Sequence, residues 1–437
     1  MLKRFLLILL LLSSVSLAAQ EGSWSGELLI NLVNGTKLPL VFNFSADGCT
    51  FDSPSQGAKG IPTQWTRSDN GEVKVLIPAI GGSYEGQLNG TTIIGLFKQG
   101  TVALPLTLTQ GVRKANRPQT PTPPFPYVTE EVSFFNGSLT LHGTLTLPQG
   151  SDRNTPLLVM VTGSGLQNRD EELFEHKPFA VIADALARQG FATYRYDDRG
   201  LDNPSFPIDS LTTLHFKSDA LAAVNQLRER FNHVGVIGHS EGGTIALMLA
   251  AEGRADFVVS LAGMAISGKT TLLLQNEALL KANGVPHDAV GAYCKSLEAG
   301  FDQVLAGKQP SEIVAPELPA MFKSSFDAAM RQAASPYIRQ FLTIDASSLL
   351  PHITCPVLAL NGRKDTQVDC DSNLGALEKG LSNCKHQVVA LDGLNHLFQH
   401  CDNGTVQEYG QIEETFATQA LEVIADWLTV NTGCKPR

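Results

Sequence analysis

The stretch HVGVIGHSEGGTIALMLAAEG, residues 233–253, decides how the rest of this chain is read. The apolar run at its start reads as a buried strand, and the run at its end reads as a helix. Between them Gly238, Ser240 and Gly242 satisfy the spacing G-x-S-x-G. Such a turn from strand to helix within a few residues strains the backbone at the serine and lifts its Oγ above the sheet. Glycines are needed because side chains at the flanking positions would strike the neighbouring strand and helix. The Glu241 backbone N–H then lies at the helix start, where it can hold an oxyanion. In a chain with 39 glycines, five residues also match by chance or as an ordinary glycine-rich turn, so the rest of the chain has to supply support.

A serine nucleophile needs a base, and the base needs an acid to orient it. In a strand–turn–helix setting of this kind the order along the chain is serine, acid, histidine, each at the C-terminal end of a strand. CPVLALNGRKDTQV, residues 355–368, puts Asp365 just past a strong strand, and HQVVALDGLNHLFQ, residues 386–399, puts His396 just past another. Asp369 and Asp371 are weaker acids for the role, because they stand where the next helix begins and read as caps. The loop VTGSGLQNRD, residues 161–170, follows the strand PLLVMV and offers the Ser164 N–H as a second oxyanion donor, with Gly165 as the alternative. Asp198 and Arg199, at the end of the next strand, read as residues that hold loops in place.

One further motif points elsewhere. GMAISGKT, residues 263–270, fits the phosphate-cradling pattern G-x-x-x-x-G-K-T. Its strand comes late in the sheet, and no strand-ending aspartate is available to hold a metal. Lys269 therefore reads as the start of a helical insertion.

Working outward, apolar strands alternate with helical segments from residue 128 to the end, which predicts a mostly parallel sheet covered on both faces. From about 268 to 350 the strand signals stop and helices dominate, so a helical cap is expected there. Residues 21–112 read differently: short alternating runs such as KLPLVFNF and EVKVLIPAI are separated by Asn-Gly, Asp-Gly and Gly-Gly turns. They predict a small all-β, barrel-like accessory domain with no cluster of catalytic side chains. RKANRPQTPTPPFPY, residues 113–127, reads as a stiff extended linker. At the start, Lys3 and Arg4 precede an apolar run over residues 5–12, with small residues Ser16 and Ala18 following. This is expected to be a signal peptide over residues 1–19, with the mature protein exported to the periplasm or secreted. No later segment is long and apolar enough to span a membrane.

The chain has 437 residues and a formal net charge of −10, which argues against nucleic acid as a partner and leaves the oligomeric state open. Its seven cysteines match no zinc spacing, and no metal site is expected. In an exported chain some may pair, and a bridge among Cys370, Cys384 and Cys401 is expected.

Taken together, GSGLQNRDEE, YRYDDRG, GHSEGG, LALNGRKDTQV and GLNHLFQ resemble the α/β-hydrolase superfamily, and within it exported bacterial esterases and serine-aminopeptidase-like hydrolases. The resemblance covers residues 128–431. It implies an α/β-hydrolase fold, an acyl-enzyme intermediate, no cofactor, and a small-molecule acyl ester as substrate. Ser240 falls on the nucleophile, Asp365 on the acid, His396 on the base, and Ser164 and Glu241 on the oxyanion donors. One departure is DDRGLDNPS, where Asp202 stands in place of a glycine. Two other readings remain: an exopeptidase, which would need a cap carboxylate such as Glu277, Glu298 or Asp302 to hold a free amino group, and a binding protein with a relic triad.

Overall fold

The computed structural model describes residues 21–29, 37–54, 58–100, 102–111, 115–201, 206–207 and 210–433. The expected signal peptide, Asp202 and Cys434 lie outside them. The chain forms two compact units, Met1–Ala115 and Asn116–Arg437.

In the first unit the Gly- and Asn-rich turns join short strands into an antiparallel meander. Its strands are β1 (Gly22–Leu29), β2 (Lys37–Ser45), β3 (Gly48–Ser53), β4 (Ala58–Pro62), β5 (Gln64–Arg67), β6 (Glu72–Ile77), β7 (Gly82–Asn89), β8 (Thr92–Gln99) and β9 (Val102–Gln110). The sheet order is β4-β3-β2-β1-β9-β8-β7-β6-β5. Its two edge strands are therefore consecutive in sequence, separated only by Thr63, whose N–H and hydroxyl both donate to the Cys49 carbonyl on β3 (3.2 and 2.7 Å). That turn curls the sheet into a near-barrel. Alternation along each strand sends Trp24, Phe42, Phe44, Phe51, Tyr84 and Phe97 into one shared core. Aromatic side chains fill the interior, and the Tyr84 hydroxyl is satisfied by the Ile93 carbonyl at 2.9 Å.

The second unit opens with the hairpin β10 (Tyr127–Asn136) and β11 (Leu139–Pro148). It continues through β12 (Leu157–Val161), α1 (Pro178–Arg188), β13 (Ala192–Tyr196), α2 (Thr213–Leu227), β14 (Val234–His239), α3 (Glu241–Ala251) and β15 (Val258–Leu261). After the cap come β16 (Val357–Gly362) and β17 (His386–Leu391). The eight strands lie in the order β10-β11-β13-β12-β14-β15-β16-β17. β10 and β11 pair antiparallel, as do β11 and β13, and the remaining pairs are parallel. This is the α/β-hydrolase arrangement. Period-two alternation divides the apolar residues of β12 between the two faces. Leu158 and Met160 pack with Phe179, Ile182 and Leu186 of α1 on one side, while Leu157, Val159 and Val161 pack with Ala220, Val224 and Ile245 of α2 and α3 on the other.

Between β15 and β16 the chain builds the cap from α4 (Gly268–Ala282), α5 (His287–Leu305), α6 (Lys323–Ala333) and α7 (Pro336–Leu342). The cap has its own core, including Tyr293, Leu297, Phe301, Phe326 and Met330. The G-K-T motif opens α4: Ser267 caps the helix by accepting from the Thr270 N–H, and Lys269 pairs with Asp302 (2.9 Å) and Glu298 (3.7 Å). Three further helices follow the cap: α8 (Cys370–Gly380), the short α9 (Val406–Tyr409) and α10 (Thr418–Thr432).

One expectation gains detail and another is overturned. The stretch expected to be a stiff extended linker is, from Asn116 onward, a strap bound along the second unit. Arg117 donates to the carbonyls of Phe174 (2.9 Å), Gly410 (2.9 Å) and Ile412 (2.9 Å), and Gln119 exchanges hydrogen bonds with Phe416. The sequence signals that make a segment extended do not say whether its side chains find carbonyls to bind. The bridge expected among Cys370, Cys384 and Cys401 is absent, since all three are free thiols. Cys370 and Cys401 follow the C-terminal ends of β16 and β17, whereas Cys384 precedes the N-terminal end of β17. A six-residue strand separates those ends by roughly 20 Å, far beyond disulfide reach.

Candidate active site

The elbow after β14 has the geometry its glycines require. Ser240 sits at φ 54°, ψ −118°, a conformation that costs a non-glycine residue about 1–3 kcal/mol and is held only by strong surroundings. Those surroundings are backbone. A Cβ at Gly238 would lie 2.0 Å from the Gly242 carbonyl oxygen, and one at Gly242 would lie 2.0 Å from that of Val161. The Ser240 N–H is tied to the Leu261 carbonyl at 2.8 Å. Ser240 remains partly exposed, and Glu241 behind it is buried as the first residue of α3. As the first helical residue, Glu241 has an N–H with no partner inside the helix.

Asp365 and His396 are brought together from separate strand ends, with His396 Nδ1 2.7 Å from Asp365 Oδ2. The Asp365 side chain is fully buried and that of His396 is 5% exposed. The other aspartate oxygen accepts from the N–H groups of Gln367 (2.8 Å) and Val368 (2.9 Å), which fixes the carboxylate plane. Asp369 and Asp371, the weaker candidates, have structural work elsewhere. Asp369 caps α8 through the Ser372 N–H, and Asp371 is an exposed partner of Arg363.

The loop after β12 lies against the elbow, since a Cβ at Gly163 would be 3.4 Å from that of Ser240. Ser164 and Gly165 are exposed at its tip. Asp198 holds the loop from below by accepting from the Gln167 N–H (2.8 Å) and the Thr162 hydroxyl (3.2 Å). Arg199 is locked to Asp219 through two hydrogen bonds. Both residues brace loops, as their positions suggest.

Three residues that sequence reasoning left without a role belong to the site. Tyr337, on cap helix α7, donates its hydroxyl to the Glu241 carboxylate. Burial raises the Glu241 pKa, and the neighbouring Thr213, Tyr337 and Ser164 hydroxyls pull it the other way. Glu171, in the strained conformation φ 51°, accepts through Oε1 from the Gly163 N–H (2.6 Å) and faces His239 Nδ1 at 2.9 Å. His239, one residue before the nucleophile, faces the His396 carbonyl through Nε2 at 2.9 Å. Burial lowers the His239 pKa, but the charge of Glu171 and its hydrogen bond outweigh this, so the net shift is upward. A signal was available for His239, though not for its partner. A histidine ending an otherwise apolar strand is a buried titratable group, and a group of that kind requires a partner.

Among the described residues no cluster of three or more His, Cys, Asp or Glu could hold a metal ion, and no helix is long and apolar enough to cross a membrane.

Residues 158–406 match the alpha/beta hydrolase family. Esterase EstD of Thermotoga maritima is 28% identical over 296 residues, 66% of this chain, and the match spans 65% of that relative's length. Among solved structures, Est1E from Butyrivibrio proteoclasticus aligns with 69% of this chain and 99% of its own at 15% identity and a TM-score of 0.42. An esterase of Pyrococcus furiosus aligns over 74% and 100% at 15% identity and a TM-score of 0.43. Proline iminopeptidase of Mycobacterium smegmatis aligns over 69% and 99% at 16% and 0.42. With the family match covering more than half of its length, and with the strand order and serine elbow described above, this chain belongs to the alpha/beta hydrolase family.

Proposed function

We propose that the protein hydrolyses carboxylic esters of small molecules through Ser240, His396 and Asp365. The supporting observation is the buried His396–Asp365 hydrogen bond of 2.7 Å, linked to the strained serine elbow through His239, the residue before Ser240, whose Nε2 lies 2.9 Å from the His396 carbonyl. In this reading Asp365 keeps the proton on His396 Nδ1, leaving Nε2 free to act as base. His396 takes the Ser240 proton as Oγ attacks the ester carbonyl. The N–H groups of Ser164 and Glu241 hold the tetrahedral oxyanion. His396 then protonates the departing alkoxide. A water molecule, deprotonated by the same imidazole, attacks the acyl-enzyme and releases the acid.

Sequence similarity to a named esterase supports an ester substrate over a peptide. So do the cap carboxylates that an aminopeptidase would use for a free amino group. Glu277 is paired with Lys281, and Glu298 and Asp302 are paired with Lys269. Measuring turnover of p-nitrophenyl acyl esters alongside aminoacyl p-nitroanilides tests the assignment. Ester turnover that disappears in Ser240→Ala, with little anilide turnover, is expected. Undiminished ester turnover in Ser240→Ala overturns it.

We further propose that residues 1–19 direct export and are removed. Mass determination of the mature protein made in a bacterial host checks this, and a retained N-terminal methionine contradicts it.

A further inference from the structure

We propose that Glu171 and His239 act as a positioning pair that joins the oxyanion loop and the base loop through one buried hydrogen-bonded unit, so that both set the turnover rate without touching substrate. The proposal rests on the reading of Ser240, His396 and Asp365 given above. Four groups meet in a line. The Gly163 N–H, one residue before the proposed donor Ser164, binds Glu171 Oε1 at 2.6 Å. The same oxygen meets His239 Nδ1 at 2.9 Å, and His239 Nε2 meets the backbone carbonyl of His396 at 2.9 Å. One carboxylate oxygen thus anchors the loop after β12 and, through one imidazole, the residue proposed as base.

Hydrogen-bond chemistry restricts how this chain can be protonated. A carbonyl only accepts, so His239 Nε2 carries a proton. The remaining proton lies between His239 Nδ1 and Glu171, which makes the unit an ion pair or its neutral equivalent. Its surroundings favour a tight unit. Glu171 and His239 are 4% and 6% exposed, and the second carboxylate oxygen, Oε2, has no hydrogen-bond partner among the described residues. The pair borders a cavity of about 10 Å³ lined chiefly by apolar side chains, including Phe179, Ile182, Leu261 and Phe416. Little water competes there, so the contacts are strong and their loss is costly.

The backbone is strained on both sides of the unit. Glu171, Phe174 and Glu175 all have positive φ (51°, 54° and 64°), and so does Phe398 (60°), two residues past His396. Non-glycine residues hold such conformations only where neighbouring contacts insist on them, often where a side chain has to be delivered to a site. Both sides of the pair are therefore positioned against local backbone preference.

The titratable groups facing His239 are Glu171, Asp365 and His396, whose ring centroid lies 4.8 Å from its own. A change in the charge of the pair is felt at His396 across that short distance.

The test compares Glu171→Ala, His239→Ala and Glu171→Gln in the full-length protein. Each is measured for kcat and KM on an acyl p-nitrophenyl ester across pH, with active sites counted by fluorophosphonate labelling. The alanine variants are expected to keep a full complement of labelled Ser240 and a KM close to the parent's. Their kcat per labelled site should fall about 100-fold, the scale set by small misplacements of catalytic groups. Glu171→Gln keeps one oxygen for the Gly163 N–H, but a neutral His239 carries a proton on only one nitrogen, so it holds either that oxygen or the His396 carbonyl, and this variant should recover only part of the loss. An unchanged kcat per labelled site in the alanine variants overturns the proposal. So does a loss explained entirely by fewer labelled sites, or a glutamine variant no more active per labelled site than Glu171→Ala. If Ser240 is unlabelled in the parent protein, the underlying catalytic reading fails together with the pair.

Discussion

At the residue scale the account turns on groups with no spare room. Gly242→Ala puts a Cβ 2.0 Å from a backbone carbonyl oxygen that cannot move without disturbing β12. The expected cost lies at or above the upper end of the about 1–3 kcal/mol typical of overpacking, read as a lowered denaturant midpoint or loss of soluble protein. Asp365→Asn keeps the volume but offers an amide where His396 Nδ1–H needs an acceptor. It should lower kcat by roughly 10⁴ while leaving the folded protein intact, as steady-state kinetics with a parallel melting curve can show. The reacting residues were legible in the sequence because each has a local signature: a serine between glycines, and an acid and a histidine just past apolar strands. Glu171 and His239 were visible in the same motifs but gained a role only from the coordinates. Their meaning lies in a contact across 68 positions of sequence, which no local pattern encodes.

At the element scale, two segments hold the site from outside the sheet. Cap helix α7 reaches the elbow through Tyr337, whose hydroxyl is bound to the buried Glu241 carboxylate. Tyr337→Phe should therefore cost about 1–3 kcal/mol, the usual penalty for leaving a buried polar group short of a partner. A chemical-denaturation midpoint measures it directly. The strap after Asn116 holds the segments around Phe174 and Gly410 to Ile412 through Arg117. Arg117→Ala should loosen those segments, detectable as faster amide exchange near residues 410–416 than in the parent protein, with β14 and β15 unaffected. The cap was legible as a break in the strand–helix rhythm. The strap was not, because proline content predicts extension and is silent on what the chain lies against.

For the molecule as a whole, pH dependence of stability provides a check independent of catalysis. His176 is buried, and desolvation, helped by the charge of Arg117, lowers its pKa from 6.5 to about 4. Between those values the unfolded chain binds a proton that the folded chain refuses, so stability falls as pH drops through the window. The contribution is fully present above about 6.5 and is lost by about 4, amounting to at most about 3 kcal/mol at about 1.4 kcal/mol per unit. Denaturation of the parent and His176→Gln proteins from pH 7 to 4 should show a shallower slope in the variant, whatever the offset at neutral pH. The division into an all-β unit and an α/β unit was legible from the change of period near residue 128. The barrel-like character of the first unit was legible from its short alternating strands, but the place of closure was not, because it depends on the single-residue turn at Thr63 that makes both edge strands neighbours in sequence.

The most direct measurement is mass spectrometry of the protein after reaction with a fluorophosphonate, carried out on the parent and on His396→Ala. The account predicts one adduct per chain, on the peptide containing Ser240, and its near-complete loss when the imidazole is removed. An unmodified Ser240 in the parent protein, or equal labelling of Ser240 without His396, would contradict it.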